Sequence, residues 1–201
     1  LMKKFLAKAA SIVATSQKYI LSSPVLSNLK QPVTLIPNGI ESELDSASYQ
    51  KEKKRYEGIY GRNFFLFLGV FRYYKGLNYL LEAAKKTGLD VVIAGDGAES
   101  EVLHQFVKEH DLTNVHFLGH VTKQQKYALI DISTALILPS SERSEAYGMV
   151  LLEASRQSTA MISTELESGT SFINSHNETG LVVAPKNSTE LAAAMRYMAD
   201  N

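Results

Sequence analysis

Ala135-Leu-Ile-Leu-Pro139, followed by Ser140-Ser-Glu-Arg-Ser-Glu-Ala-Tyr-Gly-Met-Val-Leu-Leu-Glu153, decides the fold. The short apolar run ended by proline reads as a buried strand arriving at the edge of its sheet. A polar loop follows, and from Tyr147-Gly148 a second apolar run continues through Ala154-Ser155 as a helix. Two carboxylates frame this turn, Glu145 before the helix and Glu153 two turns into it. The bland explanation is that Glu145 complements the helix dipole and Glu153 faces solvent. The alternative is a binding site. Helix-opening amides carry no partners of their own and form an anion site, with an acceptor carboxylate on either side.

The same strand-then-helix pattern extends in both directions. Strands are predicted at Phe64–Leu68, Asp90–Ala94, Val115–Leu118, Ala135–Leu138, Ala160–Ser163 and Leu181–Val183. All are short and apolar on both faces, as parallel strands covered by helices must be. Between them, Leu77, Leu80, Leu81 and Ala84, then Val102, Leu103, Phe106 and Val107, then Leu191, Met195 and Met198, repeat at helical spacing. Thr122 and Gln125 form a capping box. The alternation predicts a doubly wound, Rossmann-like α/β domain, a parallel sheet with helices on both faces.

The 201 residues suffice for one large domain, or one domain and a fragment. Residues 1–30 read as a helix, a strand at Ala10–Ala14 and a helix opened by Thr15 or Ser16; Pro32–Gly39 reads as a short strand and a turn. Residues 31–62 are read as hinge and linker, and 63–201 as the main unit. The run Lys51–Glu57 reads as a solvated helix face. The opening Leu1-Met2, inside helical spacing, predicts more protein upstream. Twenty-one Lys and Arg balance twenty-one Asp and Glu. No overall field favours nucleic acid, which is excluded as a partner. There is no cysteine, hence no disulfide or thiolate metal site. No stretch approaches the ~20 apolar residues of a spanning helix, and no secretory signal is present.

Ligands of doubly wound sheets bind beyond the carboxyl ends of the strands, so the residues after each strand are the informative ones. After the first main strand comes Gly69-Val-Phe-Arg-Tyr-Tyr-Lys-Gly76, in which Arg72 and Lys75 are cations at a helix start. They oppose the helix dipole there unless an anion binds. Gly95-Asp-Gly-Ala-Glu-Ser100 nearly matches a dinucleotide fingerprint but follows the wrong strand and carries acids that would repel a pyrophosphate; it reads as a tight turn. Gly119-His120-Val121 ends the third strand. The five histidines are scattered, with no metal-ligand spacing, and no nucleophile elbow or Walker loop occurs. Asn177-Glu-Thr179 and Asn187-Ser-Thr189 match glycosylation acceptors by chance.

Taken together, Ile36-Pro-Asn-Gly-Ile40, Gly69 through Lys75-Gly76, Ala94-Gly-Asp-Gly97, Gly119-His-Val121, Glu145-x7-Glu153 and Thr179-Gly-Leu-Val-Val resemble one family. It is the carboxy-terminal, donor-binding domain of retaining glycosyltransferases of family 4, with the two-domain B-type fold. The loop at Leu68–Gly76 is similar to that of lipopolysaccharide O-antigen mannosyltransferases. The resemblance implies transfer of a hexose, mannose from GDP-mannose being expected, to a glycan or lipid-linked acceptor in cell-surface polysaccharide synthesis. It implies that Glu145 holds the donor sugar, Glu153 the ribose, and Lys75 with Arg72 the diphosphate. The amides of Tyr147, Gly148 and Met149 then face phosphate or sugar. Gly69 borders the same loop, and Gly119, His120 and Val121 frame the base. No metal or cofactor is expected, the nucleotide-sugar being a substrate. Residues 1–30 would be the remnant of an acceptor-binding domain, and the fragment alone would turn over little. A cytoplasmic place, with peripheral association at the inner membrane face, is implied for the full-length protein. On this reading, Lys75→Ala weakens nucleotide binding and leaves folding nearly intact.

Three departures stand out. Val70 occupies the position of the family's usual arginine, Ser158-Thr-Ala160 replaces a Gly-x-Pro turn, and Glu167 replaces a glycine and is expected to crowd the donor. A nucleotide-sugar 2-epimerase, or a non-catalytic sugar-nucleotide-binding module, remains an alternative.

Overall fold

A computed structural model describes residues 2–40 and 45–201. Leu1 and residues 41–44, the latter within the expected linker, lie outside the described residues. In chain order the elements begin with α1 (Met2–Leu6), β1 (Ile12–Ala14), α2 (Gln17–Ser22), β2 (Val33–Leu35) and α3 (Ser46–Tyr60). The main unit follows with β3 (Phe64–Leu68), α4 (Leu77–Thr87), β4 (Asp90–Ala94), α5 (Ser100–Glu109), β5 (Val115–Gly119) and α6 (Lys123–Ile132). It ends with β6 (Ala135–Leu138), α7 (Met149–Arg156), β7 (Ala160–Thr164), α8 (Thr170–Ile173), β8 (Gly180–Val183) and α9 (Ser188–Asp200).

Strands β3 to β8 form a six-stranded parallel sheet in the order β5-β4-β3-β6-β7-β8. β1 and β2 pair separately, Ile12 lying opposite Val33. All five residues of β3 are buried. Because successive side chains point to opposite faces, Phe65 and Phe67 join one core, with α4, α5 and α9, while Phe64, Leu66 and Leu68 join the other, with α3, α6 and α7. That is the double winding expected from strands apolar on both faces. The capping box on α6 is present, Thr122 accepting from the Gln125 amide. Each predicted strand of the main unit is found, three of them one residue longer, and the strand expected at Ala10–Ala14 covers Ile12–Ala14.

Two local expectations change. The run Lys51–Glu57 is solvated on one side only. Tyr56 is buried in the core, and Lys53 pairs with Asp131 of α6, so α3 docks on the sheet's helical layer. The helix after β6 begins at Met149. Only the second half of the Glu145–Glu153 interval is therefore helical, and Glu153 lies about one turn into the helix, not two.

β3 and β6 are neighbours whose connections run to opposite sides of the sheet, so the loops after them face each other at the switch point. They are tied together there. The Ser141 amide donates to the Tyr74 carbonyl at 2.7 Å. A Cβ on Gly76, whose φ is +69°, would lie 2.0 Å from the Pro139 carbonyl oxygen. Only glycine permits both the left-handed turn and this close approach.

Candidate functional site

The switch point opens into a cleft of about 650 Å³ walled by the loop after β3, the loop after β6 and the start of α7. On the β3 side stand Gly69, Val70, Arg72 and Lys75; on the β6 side Glu145, Tyr147, Gly148, Met149 and Glu153. Lys75 ends a 3-10 turn over Tyr73–Lys75 and reaches across the switch, its Nζ 2.5 Å from Glu145 Oε2. The Ser140 hydroxyl donates to that same oxygen at 3.0 Å. Both of these contacts fall on Oε2, and Glu145 also lines the cleft. Both members of the pair are largely buried, with side-chain exposures of 14% for Lys75 and 10% for Glu145. Arg72 is exposed at the mouth beside them.

Gly148 opens α7 in a left-handed conformation, with no side-chain cap. Its missing Cβ leaves room for Leu138 and Leu151, which a methyl group would meet at 2.9 and 3.1 Å. Among the described residues no acceptor is found for the amides of Gly148, Met149 and Val150. Bare amides at the positive end of a helix are an anion site. Tyr147 is buried, and its hydroxyl has no partner among the described residues. Met149 is partly exposed, and its sulfur accepts from the side-chain Nδ2 of Asn38 at 3.5 Å.

At the far end, Glu153 Oε1 is bound by the ammonium of Lys126 on α6. Lys126, Met149 and Glu153 also line a second cavity of about 450 Å³, shared with Val121, Thr122, Tyr127, Gly39 and Ile40. The two cavities thus adjoin along these three residues. Lys126 did not emerge from the sequence reading. It carried the signal applied to Arg72 and Lys75, a cation in the first turn of a helix that holds no acid there.

Of the residues marked in the sequence, Gly69, Arg72, Lys75, Glu145, Tyr147, Gly148, Met149 and Glu153 meet around the first cleft, and Val121 borders the second. Gly119 and His120 are exposed at the end of β5 and line neither. Gly119 serves the turn beside it, its carbonyl accepting from Gly95 at 2.7 Å. The loop after β4 is a tight turn. The Ser100 hydroxyl and the Gly97 amide hold the Asp96 carboxyl below the usual carboxylate range, and a Cβ on Gly97 would lie 2.4 Å from the Phe71 carbonyl oxygen. The departures at 158 and 167 have a backbone signature, because Ser158 and Glu167 take φ values of +57° and +51° in place of glycine. The Glu167 side chain pairs with Arg143 and does not line the cleft.

The family model for glycosyl transferases group 1 matches residues 49–201. D-rhamnosyltransferase WbpZ of Pseudomonas aeruginosa is 40% identical over 98% of this chain and 52% of its own length. The O-antigen chain mannosyltransferase C of Escherichia coli is 38% identical over 100% of this chain and 54% of its own. The chain therefore spans about half the length of the curated relatives it matches. Among solved structures, sucrose-phosphate synthase from Thermosynechococcus elongatus superposes with a TM-score of 0.85 at 22% identity, over all of this chain and 51% of that one. Anabaena Alr3699/HepE, solved in complex with UDP, superposes at 0.80 with 20% identity, over 96% of this chain and 54% of that one. With six parallel strands in doubly wound order and a family match over three quarters of its length, the chain belongs to the group 1 glycosyl transferases.

Proposed function

We propose that the cleft binds a nucleoside-diphosphate sugar, with GDP-mannose as the donor. Within the full-length protein it serves hexose transfer, with retained configuration, to a glycan or lipid-linked acceptor of cell-surface polysaccharide synthesis. One observation carries this reading: two lysine–glutamate pairs stand in one cleft, with bare helix amides between them. The amides of Gly148 to Val150, with Lys75 and Arg72, would take the diphosphate, giving a leaving group stabilised by fixed positive charge without a metal. Glu145 would accept a hydroxyl of the sugar. Glu153 and Lys126, at the junction with the second cavity, would hold the ribose, and Val121 would border the base. The names of the relatives favour transfer over epimerisation, and the UDP held by HepE supports a nucleotide in this fold's cleft. Residues 1–30 belong, on this reading, to an acceptor-binding domain; of residues 31–62, expected as hinge and linker, α3 packs into the core of the main unit. The acceptor is met through that domain, at the inner face of the membrane. Among the described residues no helix is long and apolar enough to cross one.

Calorimetry of two variants against GDP and GDP-mannose tests the assignment. Glu153→Ala should weaken both ligands alike, by about 1.5–3 kcal/mol for a lost charge-assisted hydrogen bond, since both carry the ribose. Glu145→Ala should leave GDP nearly unchanged and abolish the extra affinity contributed by the sugar. Equal loss of GDP and GDP-mannose in Glu145→Ala would remove that glutamate from the sugar. Wild-type protein that binds UDP-sugars and not GDP-mannose would overturn the choice of donor.

A further inference from the structure

We propose that α2 works as a latch on the cleft, with Arg143 as its positioning residue. The contact lies between α2, far upstream in sequence, and two loops, the one after β6, which borders the cleft, and the one after β7, which lies behind it. Arg143, in the loop after β6, donates through Nη2 to the Ser22 hydroxyl at 2.8 Å, stacks over Tyr19 at 5.7 Å and reaches Glu167 at 3.4 Å. Ser22 in turn donates to the Glu167 carbonyl at 2.6 Å. One turn back, Lys18 pairs with Glu165 at 2.5 Å, and the other oxygen of Glu165 accepts from the Glu167 amide at 2.7 Å.

Glu167 is the centre of this arrangement. It is a non-glycine residue in the left-handed region, a conformation that persists only when the surroundings over-determine it. Its amide, carbonyl and carboxylate are all engaged, the carbonyl directly by α2 and the other two through residues that α2 holds. An isolated exposed ion pair contributes little, but here several contacts converge on one strained residue. The loop they hold leads to the cleft. Two residues on, the Gly169 amide donates to the Ala146 carbonyl at 2.8 Å, and a Cβ on Gly169 would lie 2.5 Å from the Tyr147 ring. The turn at Glu167 therefore backs the wall next to Glu145, the end of the cleft assigned above to the sugar. Through it, α2 sets the geometry of the sugar end. The ligand side of this inference rests on the proposed function; the latch itself does not.

Amide hydrogen exchange on the 201-residue chain tests the latch without any ligand. Arg143→Ala should quicken exchange at the Glu167 and Gly169 amides about tenfold, an opening free energy lowered by ~1.4 kcal/mol. In a Glu167→Gly background the turn no longer depends on the latch, so adding Arg143→Ala should change exchange by less than about twofold, as non-additivity between coupled sites requires. Equal acceleration in both backgrounds, or none in the first, overturns the latch. In a second arm, Arg143→Ala should weaken GDP-mannose by about threefold or more and leave GDP unchanged; exchange that moves without this split shows a latch uncoupled from the cleft and overturns its positioning role. If wild-type protein binds neither nucleotide, the proposed function falls, while the exchange arm still decides the latch.

Discussion

Replacing Lys75 by methionine separates two roles that one side chain holds. The ammonium stands against Glu145, with side-chain exposures of 14% and 10%. Removing one member of a fully buried pair costs about 3–5 kcal/mol, whereas an exposed pair is worth about 0–1 kcal/mol. The cleft is open on one side, and Ser140 stays on the same carboxylate oxygen at 3.0 Å, so the stability lost should be about 1.5–3 kcal/mol. For a domain of this size that lowers the melting temperature by about 3–12 °C. The sequence-based expectation that folding stays nearly intact therefore changes, because the sequence did not show where the Glu145 carboxylate goes.

The companion variant is Lys75→Met with Glu145→Gln. Exchanging a buried pair for uncharged groups of similar volume is often neutral, so its stability should return to within about 1 kcal/mol of wild type. Nucleotide affinity should not return with it. Loss of the phosphate contact weakens nucleoside diphosphate by about 10–150-fold in the double variant, and further in the single variant, where the Glu145 carboxylate is left without its lysine. Urea unfolding measures the first quantity and calorimetry with GDP the second. A double variant that binds GDP as tightly as wild type would remove Lys75 from the diphosphate. A single variant as stable as wild type would show that the pair does not hold the switch-point loops.

Two further substitutions probe the scaffold. Burial raises the Asp131 carboxyl, but hydrogen bonds from Lys53 and Tyr49 outweigh it and hold the group below its ordinary value of 3.8. The folded state thus binds fewer protons than the unfolded one, so this contribution is complete above the unfolded pKa and is lost as pH falls below about 4 through the folded value. Asp131→Asn should cost about 1.5–3 kcal/mol at neutral pH and flatten the acid limb of the stability curve; an unchanged limb would show that α3 docks without this carboxylate. Gly76→Ala, by left-handed strain and the clash with Pro139, should cost roughly 2–5 kcal/mol by thermal or urea unfolding, and a loss under about 0.5 kcal/mol would show that the two loops part freely.

The sheet was legible because its signal is local. Each strand of the six-stranded sheet is four or five residues long and mostly apolar, and in the central strands burial on both faces is written into that run itself. Glu145, Glu153, Lys75 and Arg72 were legible because the switch point collects whatever follows the strands, whichever way the side chains turn. What stayed hidden depends on long-range pairing. Lys126 meets Glu153 across 27 positions and Arg143 meets Ser22 across 121, and neither spacing leaves a periodic trace. The charged run of α3 misled for a related reason. A single tyrosine, Tyr56, turns one side of it inward, against a mean composition that reads as solvated. The start of α7 was placed too early because Gly148 stops the helix by a backbone angle, not by a residue type that forbids helix outright.

The lysine partners also answer a difficulty raised by the glutamates. Two carboxylates beside the bare amides of α7 would repel a diphosphate, and in a half-buried cleft that repulsion is screened less than in bulk water. With Lys75 on Glu145 and Lys126 on Glu153, each end of the cleft is neutral before any ligand arrives, and the outward charge is that of Arg72 and the helix amides. The pairing also fixes the carboxylates. Each has one oxygen committed to lysine, and both residues line the cleft, so hydroxyls would meet carboxylates already held in place, at little further cost in side-chain entropy. Lys75 comes from the β3 side and Glu145 from the β6 side. The contact that neutralises the site therefore also holds closed the switch point at which it lies.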